Sequence, residues 1–541
     1  MRKASLNTLE LKFDTSLANL YRYIRENASL ILVLAVVALC AYGFELFQLN
    51  LTIDEEMHAT YTAPTLDWIS QGRWGMYLLN RLLLPYTIIP FVPLFTALVF
   101  HIMAALLTLE SWSVTSTPDR VVAGAIYVTF PTLAYMYTFS TINYGVGIGF
   151  FCVALSSFLY AKNHGWKRYL AILPASFAIA VYQGFIPVLA AVFLVYLLCT
   201  QIRAERSLVM EILWIAAVLF LSLLIYYVVQ RLILVLGVVP GLTYITGFFD
   251  PGFFQRYSRM VWNRVWTSSL VPVYSGNEAI YAMNLTGLRL LMAVSFLGLV
   301  MNVFRSRLSA FNRIIAIFFW IVLLILPFVS GFLMQFALSN RFLLALPTVI
   351  SGVVMLGMLN GSWLFKLFVT VLATYCILQF VTSTNHLFAS SHLALEADRL
   401  LASRLITRIE DAQAEAGMPP VRYIEVIGYY GRLPTELIPK IETFGASFFE
   451  WDGGSSYRIA VFLETMGLPR LAPLTLDQRA QMVSIADSMS AWPHKDSIRI
   501  VNETVLVKFG DYSYSQKAWI CSSKQSRSHL YDKSFCRDMP K

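Results

Sequence analysis

Three consecutive acidic residues, Asp54, Glu55 and Glu56, follow a long apolar segment of the chain. A run of about 20 apolar residues is enough to cross the hydrocarbon of a bilayer, and residues 28–49 supply one. The triplet therefore lies where the chain leaves a predicted membrane span. A carboxylate at that level can accept a proton from an attacking hydroxyl group. The alternative interpretation is a solvated, charged end of a loop.

Arginines and aromatic residues accompany these acids on the same predicted face of the membrane. The guanidinium group matches phosphate oxygens through paired hydrogen bonds, and ionisable groups at membrane depth are usually functional because burying them is costly. We therefore predict a site that binds a lipid phosphate. Its candidate residues are Arg73, Trp74, Asp67, Arg81, Arg231, Arg289 and Arg341. An interfacial role for Arg73 and a helix-capping role for Asp67 are the alternatives.

The composition identifies the kind of chain that must position these residues. Its 541 residues are 57% hydrophobic and 13% charged, and the mean hydropathy is +0.62. These values are typical of an α-helical polytopic membrane protein and exclude a soluble globular one. Besides residues 28–49, the length rule predicts spans at 87–110, 121–139, 144–161, 169–184, 186–201, 209–236, 285–304, 314–337, 342–359 and 364–383, about eleven in all.

Lysine and arginine residues predict the orientation of these spans. They are most frequent in the loops that share a side with the N-terminus, which places the N-terminus in the cytoplasm. An odd number of spans then places the C-terminus outside. The net charge of +9 falls on the membrane part, where it favours contact with anionic lipids and argues against nucleic acid as a partner.

The chain divides by composition into two predicted domains. Residues 1–384 form the membrane module, with a juxtamembrane outer loop at 50–86, and residues 385–541 form a soluble domain. Alternating apolar residues predict strands at 421–428, 498–501 and 504–509, with helices between them. This small α/β domain lacks the familiar catalytic motifs, which favours a supporting or acceptor-facing role.

Two of the six cysteines, Cys521 and Cys536, lie in the soluble domain. They can form a disulfide if that domain is in an oxidising compartment, and two free thiols are the alternative.

Three blocks of the sequence resemble the polytopic O-antigen glucosyltransferases of serotype conversion, which belong to the GT-C superfamily. They are TIDEEMHA at 52–59, QGRWGMYLLNRLLLP at 71–85 and SAWPHKDSIRIVNETVLVKFG at 490–510. The resemblance implies a GT-C-like membrane module and a bacterial inner-membrane protein whose C-terminal α/β domain is periplasmic. It also implies inverting transfer of glucose from undecaprenyl phosphate to an O-antigen unit of lipopolysaccharide on the periplasmic face.

The resemblance also implies roles for the candidate residues. The general base of GT-C enzymes is an acid in the first outer loop, which corresponds here to Asp54 first and then to Glu55 or Glu56. The arginines would hold the phosphate of the undecaprenyl-linked donor. No cofactor is required by the family as a whole, and a divalent cation stays open because some GT-C enzymes use one.

Two other functions fit a hydrophobic chain that binds a lipid-linked sugar. A transporter or flippase would place charged sites near the bilayer midplane, whereas these acids gather at one surface. An O-antigen polymerase would share the substrates, but we would expect it to rely on arginine-rich outer loops. The acidic first loop favours the glycosyltransferase.

Overall fold

The computed structural model describes residues 21–60, 66–84, 88–203, 205–237, 251–306, 308–333, 338–416, 420–431, 437–530, 532–537 and 539. The chain divides into two compact units. The first, here called the membrane unit, comprises residues 1–47, 65–85 and 90–385. The second, the C-terminal unit, comprises residues 48–64, 86–89 and 386–541.

The membrane unit is built almost entirely of helices. Eight helices in the described part of the chain are long and apolar enough to cross a membrane. They are Ala28–Phe47, Val92–Ser111, Asn143–Lys162, Phe185–Ile202, Leu208–Val235, Thr286–Arg305, Ala310–Phe332 and Trp363–Glu415. The chain is therefore a polytopic membrane protein, and each of these helices coincides with one of the predicted spans.

The other three predicted spans are shorter helices. Residues 121–139 break after Thr117–Thr129, because the extended residue Phe130 precedes Pro131, and a residue before proline avoids the helical region. The segments at 169–184 and 342–359 contain the helices Ile172–Val181 and Leu346–Met358. A helix of 13 residues rises only about 20 Å, which is less than the hydrocarbon thickness of about 30 Å.

Further elements connect these helices. The remaining α-helices of the membrane unit are Leu66–Ser70, Trp74–Leu82, Ala134–Tyr137, Pro251–Val265, Val271–Tyr274 and Glu278–Tyr281. Short 3₁₀ segments lie at Pro131–Leu133, Gly165–Ala171, Leu326–Phe328 and Asn340–Phe342, and a π-helical turn at Trp266–Leu270.

The C-terminal unit contains a four-stranded mixed sheet. The strands are β1 (Tyr423–Ile427), β2 (Ala472–Pro473), β3 (Ile498–Val501) and β4 (Thr504–Lys508), in the spatial order β2-β1-β4-β3. β1 pairs in parallel with β2 and β4, and β3 pairs antiparallel with β4. The α-helices of this unit are Glu56–Thr60, Ser456–Thr465, Leu476–Ser488, Tyr514–Ile520 and Lys524–Ser528, and 3₁₀ turns lie at Trp451–Gly453, Lys495–Ser497 and Lys533–Cys536.

The last long helix extends over Trp363–Ala416, well beyond the predicted span 364–383, and the division between the two units falls within it. Predicted strands at 421–428, 498–501 and 504–509 correspond to β1, β3 and β4. The two-residue strand β2 was not predicted, because so short an edge strand leaves no alternation to recognise.

The outer loop at 50–86 differs from the prediction, which assigned all of it to the membrane module. Its first part belongs to the C-terminal unit, because Ile53 is buried in the hydrophobic core that also contains Leu405, Ile424 and Phe462. Asn50 adds a polar contact, since its Oδ1 lies 3.0 Å from Nδ1 of His392. The acidic triplet is therefore part of the C-terminal unit.

Cys521 and Cys536 form a disulfide, with their Cα atoms 5.8 Å apart. The bond joins the end of the helix Tyr514–Ile520 to the last 3₁₀ turn of the chain. Both cysteines lie in a small apolar cluster with Ile427 and Leu506 of the sheet.

Candidate functional site

The acidic triplet lies in a tight turn that leads into the helix Glu56–Thr60. The backbone N–H of Glu55 donates to the carbonyl oxygen of Thr52 at 2.9 Å, and the N–H of Thr52 donates to the Glu55 carboxylate at 3.2 Å. Asp54, at the middle of this turn, has a φ of +83°, in the left-handed region that few residues other than glycine, asparagine and aspartate tolerate.

The three acids differ sharply in exposure. The side chain of Asp54 is 51% exposed, whereas Glu55 and Glu56 are buried. The carboxylate of Glu55 is used to close its own turn. Asp54 is therefore the member of the triplet whose carboxylate is accessible at the surface of the C-terminal unit.

An arginine from a distant part of the sequence binds this turn. Arg458 donates from Nη2 to Asp54 at 2.7 Å and from Nη1 to Glu56 at 2.6 Å. Its third nitrogen, Nε, donates to Asp452 at 2.6 Å. Each nitrogen of the guanidinium thus holds one carboxylate, and we call these four residues the Arg458 cluster.

The neighbouring backbone explains how Arg458 reaches the acids. It is the third residue of the helix Ser456–Thr465, which packs against the helix Glu56–Thr60. The turn before it contains Asp452, Gly453 and Gly454 with φ values of 54°, 70° and 86°. Only glycine adopts such values without strain, so this turn needs its glycines to bring Asp452 to the guanidinium.

The charges of the cluster shift the pKa values of two members. Burial raises the pKa of Glu56 above its usual value, and the nearby Arg458 opposes that rise. Burial alone would lower the pKa of Arg458, but its hydrogen bonds to Asp452 and Asp54 and the charges of Asp54 and Glu56 raise it. Arg458 is therefore a permanent cation among three acids.

Among the predicted binding residues, Arg73 has the most constrained environment. Its guanidinium lies over the ring of Tyr182, 4.7 Å from the centroid, and over the ring of Trp68 at 5.6 Å. The turn before it is held by Gln183, whose Nε2 donates to the carbonyl oxygen of Gln71 at 2.9 Å. Cation–π contacts of this kind orient the guanidinium.

Trp74 follows Arg73 and begins the helix Trp74–Leu82. Its ring packs edge-on against Phe177 with centroids 6.2 Å apart. Gly75 allows this helix to approach closely, because a Cβ there would lie 2.8 Å from the backbone of Ala180. The indole Nε1 of Trp74 is buried and has no hydrogen-bond partner among the residues that the structure describes.

Arg341 precedes a residue, Phe342, that contacts the same aromatic group. It belongs to the 3₁₀ turn Asn340–Phe342, and Phe342 stacks on Tyr182 with centroids 6.2 Å apart. Phe342 and Arg73 therefore contact the same ring, that of Tyr182, in the membrane unit.

The remaining predicted binding residues do not share contacts with this group. Arg231 donates to the hydroxyl of Tyr227 at 2.8 Å, and Arg289 donates to the carbonyl oxygen of Ser275 at 2.6 Å. Arg81 is exposed and lies over Tyr77, 5.6 Å from the ring centroid. Asp67 is exposed in the first turn of the helix Leu66–Ser70, a position at which a carboxylate interacts well with the helix dipole.

No group of three or more potential metal ligands occurs within the described ranges. The three acids of the Arg458 cluster are neutralised in part by the guanidinium of Arg458.

The sequence alone did not point to Arg458 or Asp452. The segment 451–458, WDGGSSYR, contains a signal for a glycine-rich turn before a helix, but its distance of 404 residues from Asp54 hides the pairing.

The fold and the site define a polytopic membrane protein with an exposed carboxylate fixed by an arginine. Residues 43–377 match the family described as Glucosyl transferase GtrII, and the chain belongs to this family. The protein is therefore a glycosyltransferase, which confirms that prediction and the resemblance to O-antigen glucosyltransferases. The family gives no support to the transporter alternative. Comparison with curated proteins and with solved structures finds no match.

Proposed function

We propose that this protein is an inverting glucosyltransferase that moves glucose from undecaprenyl phosphate to an O-antigen unit of lipopolysaccharide on the periplasmic face of the bacterial inner membrane. The family supports glucosyl transfer, and the eight apolar helices support a donor that is dissolved in the membrane. The O-antigen acceptor follows from the resemblance of the three sequence blocks.

Asp54 is the proposed general base. As the acceptor hydroxyl oxygen attacks the anomeric carbon of glucose, the carboxylate of Asp54 takes the hydroxyl proton. A carbon–oxygen bond to the acceptor forms, and the bond from the same carbon to the phosphate oxygen breaks. The electron pair of that bond leaves with the undecaprenyl phosphate. One displacement of this kind inverts the anomeric centre.

The observation that carries this assignment is the unequal exposure within the triplet. Asp54 is half exposed, while the carboxylates of Glu55 and Glu56 are buried. Arg458 binds Oδ1 of Asp54, and Oδ2 has no partner among the described residues. We therefore assign proton transfer to Asp54 and a supporting role to Glu55 and Glu56.

The arginines of the membrane unit are the proposed ligands of the donor phosphate. Arg73 is our first choice because aromatic rings already orient its guanidinium, and Arg341 is the second because the residue that follows it, Phe342, stacks on one of these rings. Trp74 supports the choice with an indole N–H that can donate to a phosphate oxygen. Asp67, Arg81, Arg231 and Arg289 stay proposed binding residues without a shared contact.

The direct experiment measures transfer of radiolabelled glucose from undecaprenyl phosphoglucose to purified O-antigen acceptor. We expect Asp54→Asn to lower the rate by about 10²- to 10⁴-fold, the usual contribution of a general base. Asp411→Asn is the matched control, since Asp411 is an exposed acid of the C-terminal unit outside the cluster. Wild-type rates in Asp54→Asn would refute the base assignment, and an inactive wild type would refute the function.

The proposed orientation has its own test in intact cells. With Cys40 replaced by Ser, we expect a membrane-impermeant maleimide to label a cysteine at position 411 and not one at position 205. Both positions are exposed in the structure, so burial does not explain a difference between them. Labelling at position 205 alone would place the C-terminal unit in the cytoplasm.

A further inference from the structure

Two members of the Arg458 cluster lie beyond the matched family region, which ends at residue 377. The acids Asp54 and Glu56 lie inside that region, whereas Arg458 and Asp452 lie in the C-terminal unit beyond it. The site is thus completed by a part of the chain that the family comparison does not cover.

The position of Arg458 in its helix is electrostatically unfavourable by itself. The first turn of a helix carries partial positive charge, which favours acids and disfavours arginine. Arg458 is nevertheless the third residue of Ser456–Thr465, and its side chain is only 12% exposed. Burying a cation there stabilises neither the helix nor the fold unless carboxylates neutralise it. The arginine therefore depends on the acids that it orders.

Backbone strain lies on both sides of the guanidinium. Asp54 and Asp452 have φ values of 83° and 54°, which cost aspartate free energy. The turn that contains Asp452 is held by Ser513, which donates to the carbonyl oxygen of Gly453 at 2.7 Å, and by Gln516, which donates to that of Gly454 at 2.8 Å. Strain that the surroundings maintain in this way commonly marks a functional group fixed in one geometry.

We infer that Arg458 is a positioning residue for Asp54, a role that rests on the proposed function. Its Nη2 fixes Oδ1 of Asp54 and so determines the direction in which Oδ2 faces a substrate hydroxyl. Glu56 and Asp452 fix the guanidinium in turn, one at each of its other two nitrogens. Lysine cannot replace it fully, because a single ammonium nitrogen does not have the planar, three-directional geometry of a guanidinium.

The test compares the kinetics of Arg458→Gln and Arg458→Lys with those of the wild type in the full-length protein. We expect Arg458→Gln to lower kcat by about 10- to 100-fold, since small misplacements of a reacting group have effects of this size. The donor KM should stay within about twofold, because each nitrogen of the guanidinium already binds a carboxylate. Arg458→Lys should keep an intermediate kcat. Arg422→Gln is the control, because the side chain of Arg422 is exposed and forms an ion pair with the exposed Glu503.

A coupling measurement separates positioning from a purely structural role. If Arg458 acts through Asp54, adding Arg458→Gln to Asp54→Asn should lower the residual rate by less than about twofold. A structural role predicts instead the same further loss as in the wild-type background. If Arg458→Gln does not fold, a lower kcat with unchanged donor KM in folded Arg458→Lys supports the inference, and a wild-type kcat overturns it.

The outcomes distinguish this inference from the proposed function. A wild type that transfers glucose, an inactive Asp54→Asn and a fully active Arg458→Gln would overturn the positioning role alone. A wild type that transfers no glucose would overturn both.

Discussion

Two charged clusters in this protein differ in their ratio of arginines to carboxylates. In the C-terminal unit, one arginine, Arg458, forms ion pairs with three carboxylates. In the membrane unit, one carboxylate, Glu211, forms ion pairs with two arginines. Its Oε1 lies 3.0 Å from Nη2 of Arg168 and 3.4 Å from Nη1 of Arg206. Tyr160 completes this second cluster by donating to Oε2 of Glu211 at 2.8 Å.

The two clusters also differ in how completely they are closed. Glu211 and Arg168 are 5% and 7% exposed, and each oxygen of the carboxylate has a partner. In the first turn of its helix, Glu211 also interacts favourably with the helix dipole. The Arg458 cluster has an excess of acids, an unfavourable helix position and a half-exposed Asp54. We therefore expect the Glu211 cluster, in which both carboxylate oxygens have partners, to stabilise the fold. In the Arg458 cluster, one carboxylate oxygen of Asp54 is available to accept a proton.

The closed cluster should give the largest effect on stability. We expect Glu211→Gln to reduce the free energy of unfolding by about 3–5 kcal/mol, because it leaves the buried Arg168 without its countercharge. The measurement is thermal unfolding in detergent, with the specific activity of the surviving folded protein close to that of the wild type.

Glu205→Gln is the matched control, because Glu205 is more exposed and lies 3.9 Å from its partner Arg203. Its midpoint should match that of the wild type. A Glu211→Gln protein that is as stable as the wild type, but slow in transfer, would reverse the roles that we give the two clusters.

The buried pair of Glu425 and Arg479 contains one acid and one arginine, and we expect it to make the stability of the C-terminal unit depend on pH. Glu425 of β1 lies 3.2 Å from Arg479, and its Oε1 has no hydrogen-bond partner within the described residues. Burial raises the pKa of Glu425 from 4.5 to about 7, opposed by Arg479 and Ser456. The folded state therefore binds this proton more tightly than the unfolded state does.

This shift predicts that the C-terminal unit loses stability as pH rises. The contribution of Glu425 is complete below about pH 4.5 and is lost as pH rises through about 7, with a total of roughly 3 kcal/mol. Hydrogen exchange at β1, corrected for intrinsic rates, measures it. Glu425→Gln should remove the dependence, and Glu503→Gln, in an exposed pair, should not. Equal protection of β1 at pH 5 and pH 8 would contradict the assignment.

The sequence predicted those features that local patterns encode. Apolar length identified the eight long helices, and alternation identified β1, β3 and β4. Three further spans were predicted as crossings because composition alone does not reveal that a segment such as Leu346–Met358 is a short helix buried by its neighbours.

The candidate site was predictable only in part, for a related reason. Asp54 could be recognised because it lies in a run of three consecutive acids. Its partner Arg458 is 404 residues away, and neither the charge balance nor the helical pattern near Arg458 indicates that contact. The exposure that separates Asp54 from Glu55 and Glu56 also follows from tertiary packing around Ile53. The sequence ranked Asp54 first within the triplet, but pairing and burial are properties of the folded chain, so the physical difference between the three acids could not be predicted from residue types.

We expect the smallest effect on stability and on kcat from a substitution of Asp452. This substitution tests whether Arg458 needs all three of its carboxylates. The carboxylate of Asp452 is 56% exposed, so its ion pair contributes about 0.2–1 kcal/mol. Asparagine tolerates the left-handed backbone at this position, so Asp452→Asn removes the charge without disturbing the turn. We expect a thermal midpoint near that of the wild type and a kcat within about threefold, since Arg458 keeps two of its three carboxylates. A loss as large as that of Arg458→Gln would mean that the third carboxylate is required to orient the guanidinium. Glu56 and Asp452 would then both be required to position Arg458, and Asp54 would be the one acid of the cluster that is available as a general base.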